Sequence, residues 1–523
     1  MSSSIFQDLK TTTAQPSRAP RSGRVPVPKP MQRAYAAASV SNLLSDWIST
    51  NNSQDIEGRL AIRYIRNRAR DLERNDDYTR KFLRDLEANV VGHSGFKLTM
   101  KVKTTRGKLN ASLNQQIETA YNRARKLGNW DVTGRLSGVD FDKLVIRSVA
   151  RDGECLIRKI PGYDNDFKFS LQLIEADQLD ENYVWNLAPN IYIRMGVEMN
   201  EWRRPIAYHL WKQHPGDLFP DLQRIRIQAD EFIHPFVIER IGQSRGISWM
   251  CSSAVRLRHL SKYEESEVIA ARIAAAKMGF FERTGEQEYV GDGQDDSGNI
   301  VTEVNPGVFE NLPIGVSLKT FDPQHPNANY GDFRKGVLRG IACGLGVSYN
   351  TSFGDLEGVN FSSLRAGELD ERDLWMGLQG WFVSHVIEPT FLPWLKMAIV
   401  AGQIKNVSIQ DAEELAEYAY WRGRRWQWVD PLKDVQANLE AINGGMESRT
   451  NVIESQGRDR DEVFDEIADD NSAAKDRGIE FLSSIKDPKA TGKEPQDPQE
   501  QVDSGEPKDE SRFSFSRNGH TKA

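Results

Sequence analysis

The stretch FDPQHPNANYGDFRKGVLRGIACGLGVSYNTSFGD, residues 321–355, decides how the chain is organised. Within it, YGDFRKGVLRGIAC (330–343) fits a helix, and the continuation GLGVSYNTSFGDLEGVNFSS (344–363) reads as a glycine- and serine-punctuated loop. A long helical tract from about Leu364 to Val400 follows, which Glu388-Pro389 and Leu392-Pro393 must bend or break. Upstream, residues 284–328 hold short strand-like pieces, EYV, GNIVTEV and VSLKTF, joined by Gly, Asp and Pro. Before them lies the longest helix the sequence predicts, about Trp249 to Arg283. Val255, Leu257, Leu260, Val268, Ile269, Ile273 and Met278 supply its apolar contacts, and AARIAAAK its high helix propensity. About 30 residues at 1.5 Å each make a rod of roughly 45 Å, suited to a strut or a channel wall. Two helices therefore bracket a β-containing insertion.

Further outward, Gly138 to Ile238 shortens its period. CLIRKI, FSLQLI, YIRMGVEM, IAYHLW and FIHPFVI have strand lengths, and Asp152-Gly153 reads as a turn entering a strand. Tyr35 to Val91 is helical, with Leu60, Ile62, Tyr64, Ile65, Ala69 and Leu72 at three-to-four spacing and arginines at 59, 63, 66, 68 and 70 between them. Interleaved acids such as Asp71, Glu73, Asp85 and Glu87 favour a salt-bridged, solvated face over a DNA-binding one. Gly92 and Gly95 end this region. Residues 1–40 form a proline-rich basic arm expected to be disordered, and 471–523 an acidic, proline-rich tail of the same kind. Beyond the aromatic segment WRGRRWQWVDP (421–431), helices are expected to about Asp469.

The chain has 523 residues and a net charge of −7. A duplex-coating protein would be basic, because affinity for DNA comes mainly from neutralised phosphates. No run of about 18 apolar residues spans a bilayer, and the N-terminus lacks a signal-peptide core, so a cytoplasmic origin is expected. Cys155, Cys251 and Cys343 are too scattered for a metal knuckle or a disulfide framework, and read as reduced, packed residues.

No P-loop, nucleophile elbow, zincin helix or paired C-x-x-C occurs, so no catalytic residue and no cofactor is assigned. His209 and His214 lack companion cysteines or an acidic ligand motif for zinc. The loop GDGQDDSGNIVTE (291–303) approaches an EF-hand, yet Ser297 stands where the glycine is required, and a hairpin tip is the better reading. Trp421, Arg422, Arg424, Arg425, Trp426 and Trp428 could stack on bases; a subunit interface, where Trp and Arg are enriched, is favoured.

LQLIEADQLD (171–180), FIHPFVIERIGQSRGISWM (232–250), the opening stretch at 321–355, NFSSLRAGELDERDLW (360–375) and WQWVDPLKD (426–434), in this order, resemble the lambda-like family of tailed-phage portal proteins. The likeness runs from about residue 40 to 465. It implies an α+β portal fold, with a mixed α/β wing, helical stem, small β-containing clip and helical crown, assembled as a homo-oligomeric ring of usually about twelve subunits. The wing would be 41–248 and 363–428, and the long helix 249–283 would lead into the stem. The clip would be 284–328, the second stem helix 329–345, the tunnel loop 346–362 and the crown 429–470.

The implied function is a non-enzymatic channel at the capsid vertex, through which double-stranded DNA is packaged and ejected. Implied partners are the terminase large subunit, capsid and scaffold proteins, and head-completion proteins. The location would be the virion, after assembly in the host cytoplasm. On this reading Tyr349, Asn350, Thr351, Ser352 and Asn360 present uncharged hydrogen-bonding groups to DNA, and Lys335 and Arg339 touch phosphates or pair with neighbouring acids. Glu286, Glu288, Asp292, Asp295 and Asp296 would dock the terminase and later adaptors, and Trp421, Arg424, Arg425, Trp426 and Trp428 would lie between subunits. Acidic walls would guide DNA without gripping it. The alternatives are another head–tail connector or scaffold-associated protein, and a DNA-processing enzyme, for which convergent carboxylates would be required.

Overall fold

The computed structural model describes residues 50–104, 107–275, 279–283, 293–294, 300–301, 316–320, 329–355, 357, 361–426 and 431–479. Two helices open the described chain, α1 (Gln54–Asn75) and α2 (Asp77–Leu86). Asp76 divides them, its carboxylate accepting from the Thr79 backbone N–H at 2.7 Å and so capping α2. A π-turn, Glu87–Val91, ends at Gly92. Strand β1 (Lys97–Met100) and helices α3 (Ala111–Ala124) and α4 (Gly138–Asp152) follow, the last started by a reciprocal Ser137–Asp140 capping box.

The β region holds two antiparallel sheets. One orders β3 (Phe169–Ile174), β2 (Leu156–Pro161) and β9 (Phe232–Ile233). The other is a five-stranded meander of β4 (Trp185–Ala188), β5 (Ile191–Arg194), β6 (Val197–Met199), β7 (Pro205–Trp211) and β8 (Arg224–Gln228). Its inward face has a small core of its own, with Leu179, Val197, Tyr208, Leu210 and Phe232.

Helix α5 (Ala254–Ala275) leads to strand β10 (Gly279–Arg283), which pairs antiparallel with β13 (Val316–Thr320); the short β11 (Gly293–Gln294) and β12 (Ile300–Val301) pair between them. Then come α6 (Tyr330–Leu345), α7 (Tyr349–Phe353), α8 (Phe361–Phe382), a π-turn (Val383–Ile387), α9 (Glu388–Val400), α10 (Ala412–Glu417), β14 (Ala419–Arg422), α11 (Pro431–Asn443), α12 (Arg449–Ser455) and α13 (Arg460–Asp476).

The main core joins the two ends of this order. β1 and β14 pair antiparallel, Lys97 opposite Arg422, although more than three hundred residues separate them. Around that seam Tyr121 of α3 meets Trp394 and Phe391 of α9 and Trp421 of β14 edge-on, with centroids 4.9–5.5 Å apart. Tyr121 is wholly buried, and that burial pushes its phenol up to about 12. The mixed α+β class expected from the sequence is the one observed.

Several local expectations are corrected. The helix drawn over 249–283 is α5, and residues 279–283 are a strand. Gly279 opens that strand and the β-favouring Phe280 and Phe281 pair with the alternating VSLKT of β13. Gly138–Asp152, placed at the start of the strand-rich region, is helical throughout. On α1 the buried stripe is Ile62, Arg66, Ala69 and Leu72, while Leu60 and Tyr64 are 75% and 67% exposed.

Two of the α1 arginines, Arg66 and Arg70, are paired, but neither in i,i+4 fashion nor in solvent, while Arg59, Arg63 and Arg68 are exposed. Arg66 is fully buried against Glu154 (3.0 Å) and Asp177 (3.1 Å), and Arg70 meets Asp152 (2.9 Å) and Asp177 (2.6 Å). The prolines do not break the 361–400 tract. A π-turn, Val383–Ile387, lies directly ahead of Pro389 and shifts the bonding register where that residue lacks an N–H, and Pro393 is carried inside α9. Of the cysteines only Cys155 is packed; Cys251 and Cys343 are exposed. Among the described residues no helix is long and apolar enough to cross a membrane.

Candidate functional site: the α5–α6 pair and the segment it holds

Helices α5 and α6 bracket the β insertion and meet at close range. Leu257 and Leu260 pack in the same core as Leu338, Ile341 and Leu345. Of the glycines at every fourth position of α6, Gly336, Gly340 and Gly344, the last two set this closeness by presenting bare backbone to α5, while Gly336 faces open space. Ser253 Oγ donates to the Ile341 carbonyl (3.2 Å), Ser252 Oγ to Gly344 (2.9 Å), and Arg256 Nη1 to Gly340 (3.1 Å). A Cβ on Gly344 would lie 2.2 Å from Ser253 Oγ, and one on Gly340 2.6 Å from Arg256 Nη1. Farther along, Tyr263 stacks edge-on against Phe333 at 5.0 Å, and Arg334 bonds both Tyr78 (3.0 Å) and Glu264 (3.1 Å). The four-residue glycine spacing of α6 is the sequence signal for this contact.

The segment after α6 is more structured than the loop expected from its composition. Gly346 caps α6 with φ 69°, and Gly354 ends α7 with φ 68°, both in the left-handed region that an L side chain resists. Between them Tyr349 donates from its hydroxyl to Asp355 at 2.6 Å, and the Arg339 guanidinium lies over the Tyr349 ring at 5.3 Å. Partial burial together with that bond raises the Tyr349 phenol, while Tyr349's hydroxyl, ahead of Lys335, holds the Asp355 carboxyl below its usual range. Lys335 reaches Glu357 (2.8 Å) and Asp355 (3.4 Å).

Ser352 is buried and donates to Glu371 at 3.4 Å; Asn350 is half-buried and Thr351 exposed. Tyr349, Asn350, Thr351, Ser352, Lys335 and Arg339 thus cluster on one short stretch, whose cations face its own acids and ring. Asn360 lies outside the described residues, as do Glu286, Glu288, Asp292, Asp295, Asp296 and Trp428. Within 291–303 the described residues are 293–294 and 300–301, which pair antiparallel as β11–β12, a hairpin arrangement.

The Trp/Arg segment is tied into its own chain. Arg424 donates to Asn89 Oδ1 (2.8 Å) as Trp426 Nε1 does (3.2 Å), Arg425 reaches Gln379 (3.3 Å), and Trp421 packs against Tyr121 and Phe391. His209 pairs with buried Glu198 at 2.9 Å. His214, Glu175 and Asp177 bring three potential ligand atoms within 4.8 Å of one another. That set does not suit a cation. Arg70 stands 2.6 Å from Asp177 and 3.5 Å from Glu175, and the Gly216 N–H donates to His214 Nδ1, which puts the ring proton on the Nε2 that faces Glu175 at 3.2 Å.

The features together define an α+β chain organised about two long helices that bracket a β insertion and hold a glycine-capped segment at their junction. The chain belongs to the lambda family of phage portal proteins, whose family profile matches residues 41–379, and its function is that of a portal protein. It is 36% identical over 458 residues to a probable portal protein of Halomonas phage phiHAP-1, covering 86% of this chain and 88% of that one. It is 22% identical over 454 residues to the portal protein of Escherichia phage N15 (79% and 85% covered), and 24% identical over 301 residues to portal protein B of Escherichia phage lambda (52% and 56%). Among solved structures it is similar to a chain in the neck of an empty gene transfer agent particle, with TM-score 0.41 and 12% identity over 78% of this chain and 95% of that one.

Proposed function

We propose that about twelve copies of this chain close into a ring at the capsid vertex, through which double-stranded DNA enters and leaves. Membership of the portal family carries this reading, and the α5–α6 pair supports it. In this proposal α5 and α6 are the stem, residues 284–328 the clip, 346–362 the tunnel loop, 41–248 and 363–428 the wing, and 429–470 the crown. The segment 346–362 faces DNA, with Tyr349, Asn350, Thr351, Ser352 and Asn360 offering hydrogen bonds. Lys335 and Arg339 stay committed to Asp355, Glu357 and Tyr349, so they soften phosphate repulsion without gripping. A net charge of −7 per copy keeps the bore from adhering to the duplex.

The clip acids Glu286, Glu288, Asp292, Asp295 and Asp296 dock the terminase large subunit during packaging and head-completion proteins afterwards. Capsid and scaffold proteins surround the wing, and the faces of Trp421, Arg424, Arg425, Trp426 and Trp428 not spent within the chain lie toward neighbouring subunits. The chain acts as a conduit without chemistry of its own, assembling in the host cytoplasm and residing in the virion. Electron microscopy of the purified protein tests this: rings with an axial hole are expected, and a strictly monomeric particle under all assembly conditions would refute it.

A further inference from the structure

Strand β4 forms one edge of the five-stranded sheet, and all four of its residues are exposed. Beside it runs the outer face of α1, and between them lies a groove of about 960 Å³ with Ile56, Leu60, Trp185 and Tyr192 in its walls. Arg59, Arg194 and Arg203 line it as well, Arg194 lying over Tyr192 at 4.8 Å and Arg203 paired with Asp55 at 2.8 Å. Its lining combines apolar side chains with three arginines against the single acid Asp55.

At the opposite side of the same sheet, about four strand spacings or ~19 Å away, the loop 212–223 joins β7 to β8. Leu218 and Phe219 at its tip are 92% and 93% exposed. The loop beneath them is well tied: Lys212 N–H donates to Gln223 O (2.9 Å), Asp217 N–H to His214 O (3.1 Å), and Asp221 N–H to Gln213 Oε1 (2.7 Å). Pro215 and Pro220 stiffen it further. Two large apolar side chains are therefore held out on a preorganised support, which lowers the cost of burying them against a partner. Asp221 is occupied by Lys212 at 2.8 Å, leaving Asp217 as the carboxylate beside the tip.

We infer that the Leu218–Phe219 tip of one subunit seats in the α1–β4 groove of the next copy of this chain, with Asp217 facing Arg59. An apolar, acid-flanked knob on the β7–β8 hairpin and a largely apolar, arginine-lined groove at the β4 edge of the same sheet are complementary to each other and not to themselves. The contact is head-to-tail, the kind that closes into rings or runs on as filaments. It rests on the ring reading above and deepens it by naming the surfaces that meet.

The test uses the full chain with Cys251→Ser and Cys343→Ser, adding Phe219→Cys, Leu60→Cys, or both, and a short bismaleimide. The double variant is expected to give a ladder of covalent multimers up to the full ring, and each single variant none beyond background. Rings visible by microscopy that give no ladder overturn the knob–groove contact while leaving the ring reading intact; absence of rings in the unaltered chain overturns the ring reading itself. In parallel, Leu218→Asp/Phe219→Asp should lower the urea concentration at which rings dissociate, with an unchanged circular-dichroism spectrum. Rings of unaltered stability in that variant, or bismaleimide products of Phe219→Cys with a different virion protein, also overturn the contact.

Discussion

The Arg245 guanidinium and the Glu154 carboxylate face each other with neither side chain exposed, Arg245 Nε lying 2.9 Å from both carboxylate oxygens. Around this pair four parts of the chain converge. Arg245 also donates to the carbonyls of Ala176 (3.0 Å), Leu179 (3.1 Å) and Met195 (2.9 Å), while Glu154 accepts from Gly246 N–H (3.0 Å), His234 (3.0 Å) and Arg66 of α1 (3.0 Å). Burial alone would raise the Glu154 carboxyl, but Arg245 and His234 outweigh it and hold the group well below the usual carboxylate range. The pair pins α1 and the two β sheets to the segment that leads into α5.

Glu154→Gln should therefore destabilise the chain by about 3–5 kcal/mol, because it leaves the Arg245 cation buried without its counter-charge. Chemical denaturation measures this. A loss below about 1 kcal/mol would mean that the three carbonyls suffice to hold Arg245.

Stability should fall steeply in acid. Glu154, Asp177 and Glu198 are all held below their ordinary values by arginine partners, against the opposing effect of burial. A carboxylate whose native value is depressed contributes fully above its unfolded value, about 4, and loses that contribution as pH falls toward the native one. Glu118, Asp142 and Glu371 are shifted upward by burial and run the other way, offsetting part of the effect. Thermal midpoints below about pH 4 should drop for the unaltered chain and drop less for Glu154→Gln. Parallel curves would show that the network is not what acid disrupts.

The parts of the fold visible in the sequence were those carried by local pattern. The strand segments CLIRKI, FSLQLI and IAYHLW became β2, β3 and β7 because length and β-branched content decide such pieces without help from elsewhere. The placement of Arg66 and Arg70 is not legible in the sequence for the opposite reason. Asp71 and Glu73 lie close in sequence, whereas the partners actually used, Asp152, Glu154 and Asp177, come from elements whose position no helical period announces. Likewise the β1–β14 seam joins residues too distant for any window to link. At the candidate site the polar run 349–352 was legible, but its coupling to Lys335, Arg339 and Asp355 depends on how α6 turns at Gly346.

Two identical substitutions in α6 should have opposite signs. At Gly336 a Cβ meets nothing within 4 Å, so Gly336→Ala should stabilise by up to about 1 kcal/mol through helix propensity. At Gly344 the new Cβ would collide with Ser253 Oγ, whose neighbouring backbone is buried, and Gly344→Ala should cost about 1–3 kcal/mol. Adding Ser253→Ala removes the colliding oxygen and leaves Ser253 Cβ at 3.5 Å and Ser252 Oγ at 3.1 Å, so the double variant should recover part of the loss. A strictly additive double-mutant cycle would contradict the close α5–α6 contact.

If residues 346–362 face the DNA as proposed, the glycines that cap α6 and α7 should bear on transport rather than on assembly. A Cβ at Gly346 or Gly354 meets nothing within 4 Å, so the whole cost of Gly→Ala there is the left-handed backbone, about 1–2 kcal/mol each. That is too little to unfold a core built from α1–α4, α8 and α9, yet enough to shift how the 347–353 stretch sits against Asp355 and Glu371. Each alanine variant should still form rings but package less nuclease-protected DNA, and Asn, which tolerates this backbone region, should restore packaging where Ala does not. Rings that fail to form in the alanine variants, or packaging equal to that of the unaltered chain, would remove this segment from the path of the DNA.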